Sequence, residues 1–140
     1  MDESKVILEH LNKNFQYVYD KNAYGKRDAW YVMKQLPFEG DCEDYSLTYL
    51  YEVSGRSYIK MFWNLIFGGY KIKFCTVRGE GHAVLRYKER YLDNIQKEWC
   101  QKDYLEDKGY DFHKSQYWWN IVAVKLVQGW YYSASKKIRD

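Results

Sequence analysis

The sequence predicts an α+β domain in which N-terminal helices pack on an antiparallel β-sheet. Three observations carry that expectation. In the first half, apolar residues recur at a spacing near 3.6; after the pair Gly68 and Gly69 the period drops to 2. Helical segments first and alternating strands after is the order that builds an α+β fold rather than interleaved βαβ units. The length of 140 residues suits one core, and no repeat, low-complexity tract or linker divides it, so residues 1–140 read as a single domain.

In chain order, Ile7, Leu8, Leu11, Phe15 and Val18 behind Ser4 predict an amphipathic helix over about residues 5–19. "DAWYVMKQLP" predicts a second, begun at Asp28 and stopped before Pro37, because a residue preceding proline is pushed out of the helical region. "CEDYSLTYLYEVSG" is a third, carrying Leu47, Leu50 and Val53 and stopped at Gly55. "SYIKMFWNLIFGG" is a fourth, ended by the glycine pair. In "YKIKFCTV", Tyr70, Ile72 and Phe74 alternate with Lys71 and Lys73, the pattern of a half-buried strand. "HAVLRY" and "RYLDNI" are two more strands joined near Lys88 and Glu89, and "NIVAVKLVQ" reads as a long buried strand. Residues 97–119 carry no decisive pattern.

Bulk properties narrow the classes of function. Aromatics make up 20% of the chain, which is globular and far from a disordered composition. The net charge is only +3, from 22 Lys and Arg against 19 Asp and Glu, so no strong attraction to nucleic acid or membrane is expected. The first ten residues, "MDESKVILEH", lack an apolar core of signal-peptide length, and no run approaches the ~20 apolar residues of a spanning helix; the expected address is the cytoplasm, with no membrane partner. Cys42, Cys75 and Cys100 are odd in number and lack CxxC spacing, which disfavours a disulfide framework or a cysteine-rich zinc site.

One cysteine stands apart. In "GDCEDY", Cys42 lies among Asp41, Glu43 and Asp44 at a predicted helix start, where free N–H groups and the helix dipole favour a thiolate. A nucleophile of this kind needs a base, and the chain has three histidines, His10, His82 and His113. His82 is the best placed: it shares one face of its strand with Val84 and Arg86, while Tyr91, Asp93 and Ile95 share one face of the next. An even-numbered turn makes these faces coincide and sets Asp93 beside His82; an odd one parts them. Nucleophile, base and orienting carboxylate together are the parts used for acyl transfer. Cys75 and Cys100 read as structural, His10 and His113 as surface or packing residues.

"GDCEDY", followed by "GHAVLRY" and "YLDN", with "FQYVYD" and "DAW" upstream, resembles the bacterial transglutaminase-like cysteine proteinases of the transglutaminase and papain-like superfamily, over about residues 12–99. The resemblance implies a papain-like core and a thiol hydrolase, a cysteine peptidase or amidase acting on a protein or peptide amide. It matches Cys42 to the nucleophile, His82 to the general base and Asp93 to the orienting carboxylate. Transglutaminase-type acyl transfer or deamidation would use the same parts. No cofactor is required, but in that family acidic residues beside the cysteine bind calcium, which matches Asp41, Glu43 or Asp44. Read without the resemblance, these three are acidic residues favoured in a first helical turn, although their charges also oppose a thiolate and would be offset by a hard cation. Trp30 reads either as core or as a ring that shields the cleft and helps bind an oxyanion. A different class of function, a protein- or nucleic-acid-binding module without catalysis, draws on the interleaved cations and aromatics of "YKIKF" and "RYKERY". Lysines alternating along a strand are more simply its wet face, so nucleic acid is the less expected partner.

Overall fold

The structure is a computed structural model and describes residues 3–17, 32–33, 38–117 and 119–139. Helix α1 (Glu3–Asn14) runs directly into strand β1 (Phe15–Tyr17), which pairs in parallel with β2 (Phe38–Gly40). Helices α2 (Cys42–Val53) and α3 (Tyr58–Ile66) follow. The chain then lays down β3 (Tyr70–Val77), β4 (Glu80–Tyr87), β5 (Arg90–Leu92) and β6 (Cys100–Gln101). A short α4 (Lys102–Asp107), β7 (Tyr110–Tyr117) and α5 (Trp119–Arg139) complete it. The five-stranded sheet has the order β6-β5-β4-β3-β7, with every neighbouring pair antiparallel. The architecture is α+β, as expected.

Two tight turns fix the register of this sheet. Arg78 and Gly79 join β3 to β4 with φ of 52° and 87°, and Lys88 and Glu89 join β4 to β5 with φ of 50° and 66°. Positive φ at both central residues is the type I′ geometry, whose twist matches that of the strands it connects. Val77 therefore stands opposite Glu80, and Tyr87 opposite Arg90. Lys88 and Glu89 hold the left-handed conformation without glycine, which costs roughly 1 kcal/mol per residue.

Alternation along the strands sorts side chains onto two faces. Ile72, Ala83, Leu85 and Leu92 meet α2, whose Leu47 and Leu50 are fully buried, along with Met61 of α3 and Val122 and Leu126 of α5. Each of the Ile, Leu, Val and Met side chains contributes about 1.5–3 kcal/mol on burial. Cys75, Val84 and Tyr91 face the other way and are covered by Leu105 of α4 and Tyr110 of β7. α2 is the central helix, packed on α1, α3 and β4, and Tyr45 to Tyr51 are all buried.

The structure departs from the sequence expectation in several places. The first helix ends at Asn14 instead of about residue 19, and it already includes Ser4, which therefore does not cap it. Phe15 leaves the helix yet stays in the core, its ring centroid 5.0 Å from that of Tyr45. Of the second expected helix only Val32 and Met33 are described, and they are not helical; the rest, with Trp30, lies outside the described residues. The strand expected over residues 90–95 stops at Leu92. "NIVAVKLVQ" is not a strand but part of α5. Val122 and Leu126, four residues apart, are buried there while Ile121, Val124 and Val127 are exposed. β-branched residues lower helix propensity by well under 1 kcal/mol each, less than burying one helical face returns. Among the described residues, no helix is long and apolar enough to cross a membrane.

Candidate active site

Gly40 ends β2, Asp41 is the N-cap of α2, and Cys42 is its first helical residue. The cap is reciprocal: the Asp44 amide donates to Asp41 Oδ1 at 3.3 Å, and the Asp41 amide donates to Asp44 Oδ2 at 3.2 Å. This box starts the helix at one fixed residue and so fixes where the thiol is presented. Gly40 is needed beside it because a Cβ there would lie 2.8 Å from Asp44 Oδ2 and 2.9 Å from Met33 Sδ. Gly40→Ala should therefore destabilise the fold by about 1–3 kcal/mol through overpacking, read as a lowered urea midpoint with an unchanged slope.

The turn after β5 frees the β4 amide that meets the sulfur. Tyr87 and Arg90 flank the two-residue turn, so the amides of Tyr87, Leu85 and Ala83 point alternately toward β5. β5 ends at Leu92, and the chain turns away through hydrogen bonds from the Gln96 amide to Asp93 Oδ1, 2.9 Å, and from the Lys97 amide to the Asp93 carbonyl, 3.0 Å. The Ala83 amide is left without a strand partner and donates to Cys42 Sγ at 3.4 Å. Backbone dimensions then put the sulfur within about 6 Å of the His82 Cα.

The two-residue turn also makes the faces of β4 and the residues after β5 coincide. His82 Nε2 lies 2.8 Å from Asp93 Oδ2, and both residues are buried. Tyr110 O–H donates to the same Oδ2. Burial pushes the Asp93 carboxyl up, but donors from His82, Tyr110 and the Gln96 amide outweigh it and hold the group below the ordinary carboxylate range. An ionised Asp93 can only accept, so Nε2 carries the proton of this hydrogen bond and Nδ1 is the nitrogen left outside it. Cys42 and His82 both line a cleft of about 450 Å³, with Tyr17, Arg78, Asn94 and Ile95 also on its wall. Asn94 Oδ1 is buried and has no donor among the described residues.

The electrostatics of the thiol differ from the sequence expectation. Burial pushes Cys42 well above its ordinary value, Glu43 and Asp41 push further, and the Ala83 amide opposes them only in part. The group rests as a thiol. Glu43 is itself pushed up to about 8 by burial and by Asp41, so near neutrality it holds its proton, and its charge opposes the thiolate only at the higher pH where both groups ionise. Cys75, pushed up to about 12 by burial, and Cys100, also raised, are buried free thiols.

In the acidic cluster Asp41 and Asp44 cap each other, and among the described residues no group of three or more His, Cys, Asp or Glu is arranged to hold a metal ion. His10 is exposed and lies edge-on to Phe38, away from the cleft, while Trp30 and the His113 side chain lie outside what is described. Sequence reasoning missed Tyr110, which comes from the stretch without a pattern, and the Ala83 amide, which the parity of the hairpin and the length of β5 together would reveal. No family model matches the chain, and no curated protein matches it.

Proposed function

We propose that the protein is a thiol hydrolase with a papain-like core, acting on a peptide or side-chain amide of a protein substrate. The observation that carries this is the hydrogen bond from His82 Nε2 to Asp93 on the wall of the cleft that Cys42 also lines. Asp93 occupies one imidazole nitrogen, and Nδ1 remains as the base. Because Cys42 rests as a thiol, its proton moves to Nδ1 as the sulfur attacks the carbonyl, in place of a preformed ion pair. The imidazolium so formed is stabilised by the Asp93 carboxylate and returns the proton to the leaving amine, giving a thioester on Cys42 that water, or an amine in transamidation, resolves. In this reading the first-turn amides of α2, that of Cys42 foremost, take the oxyanion.

The test is intact-mass labelling of the folded protein with iodoacetamide at pH 7. Cys42 should react at least tenfold faster than Cys75 and Cys100, and in urea the three rates should converge. Equal rates in the folded state would instead favour a catalytically silent module that keeps only the cleft.

A further inference from the structure

About 13 Å along β4 from His82, at the other end of the strand, lies a second cleft with a different chemistry. It has a volume of about 550 Å³, and Arg86, Lys88, Arg90 and Lys102 line it. These charges come from separate elements brought together by the sheet. Arg86 is near the end of β4, Lys88 is in the turn, Arg90 opens β5, and pairing of Arg90 with Gln101 in β6 carries Lys102 alongside. The stretch "RYKERY", whose alternation of cations and aromatics the thiol chemistry does not use, is this hairpin. Lys73 of β3 is close enough to feel the same cations: burial, then Arg86 and Lys102, hold its ammonium below the ordinary value.

Such crowding of like charge is unfavourable unless an anion offsets it. Glu89 and Asp103 also line the cleft, yet among the described residues neither is ion-paired to Arg86, Lys88, Arg90 or Lys102. Arg86 Nε is moreover buried with no acceptor among the described residues, a donor whose unmet hydrogen bond costs on the order of 1–3 kcal/mol. We propose that this cleft is an anion site that takes a phosphate group, with Arg86 as the inner donor and Arg90 and Lys102 as flanking charges. Several cationic donors around one cleft suit the multiple oxygens and double charge of a phosphate better than a single carboxylate. The volume is that of a small-molecule site, and the net charge of +3 provides no extended field for a long polyanion. The phosphate belongs either to a free phosphorylated small molecule or to the backbone of a single strand.

Thermal melting with sodium pyrophosphate, and fluorescence anisotropy with a fluorescein-labelled oligothymidylate, separate these sources. Pyrophosphate should raise the melting temperature in a saturable way that sodium chloride at matched ionic strength does not reproduce. The R86Q/K102Q variant should bind at least tenfold more weakly, K60Q on α3 should bind as the wild type does, and alkylation of Cys42 should be unchanged in both. Oligothymidylate binding with the same loss in R86Q/K102Q, but no effect of pyrophosphate, would assign the phosphate to a strand backbone. The proposal is overturned if neither probe binds, if chloride acts equally, or if the variant binds as well as the wild type. Lys102 is exposed, so K102Q alone keeps the test open should Arg86 prove necessary for folding.

Discussion

Alanine at His82 should slow the alkylation of Cys42 by iodoacetamide at pH 7 by a factor of about 10² to 10⁴, the range a positioned general base supplies. The size of the effect follows from the state of the thiol. Burial and the neighbouring carboxyls leave almost no thiolate at rest, so the sulfur depends on a base that takes its proton as the new bond forms. A cysteine that already rested as a thiolate would lose far less. Asp93→Asn should give a smaller drop, about tenfold, because the amide keeps an acceptor for Nε2–H but removes the charge that favours imidazolium. His82 is buried and partners Asp93, so its removal also perturbs packing. The pH profile distinguishes the two consequences. In a folded His82→Ala protein the rate should follow only the ionisation of the thiol itself, at much higher pH than in the wild type. An unchanged rate and profile in a folded His82→Ala protein would remove the enzymatic reading.

What the sequence disclosed follows from which structures local patterns determine. The switch of period after Gly69 located the sheet, because a strand with one wet face must alternate. The pairing of His82 with Asp93 was legible as a condition: side-chain direction has period 2, so the parity of one turn decides which faces meet, and Lys88 and Glu89 make that turn even. Tyr110 could not be found this way, since it reaches Asp93 from β7, at the far edge of the sheet from β5 and β6, and nothing local marks that approach. The stretch after Asn120 misled for a related reason. A continuous run of Ile, Val and Leu fits a buried strand and a buried helix equally, and only packing against α3 selects the helix. At the helix start, the acidic residues were visible but their burial was not, and burial reverses the expected charge of Glu43.

That reversal has a large expected consequence for stability. Glu43 is pushed from an ordinary 4.5 to about 8 in the fold, so between those pH values the folded chain holds one proton more than the unfolded chain. Each unit rise in pH across the window then lowers stability by about 1.4 kcal/mol, with the loss complete once the pH passes the folded value. The total is on the order of 4–5 kcal/mol, a large share of the 5–15 kcal/mol typical of a domain. Asp93 acts with the opposite sign: its carboxyl is held below 3.8, so its contribution is present above that value and is lost as the pH falls through the folded one. The melting temperature should therefore peak near pH 4–5 as far as these two groups decide it, and fall on both sides. Glu43→Gln keeps the shape and removes the ionisation. It should melt within a few degrees of the wild type at pH 5 and clearly above it at pH 8.5, while leaving the acid limb in place. A calcium ion held by Glu43 would require the carboxylate and reverse the alkaline limb, so that wild-type stability rises with pH in calcium and a chelator abolishes the rise. Thermal melts of both proteins from pH 3 to 9, with calcium and with chelator, decide between a buried neutral acid and a metal ligand at the residue next to the thiol.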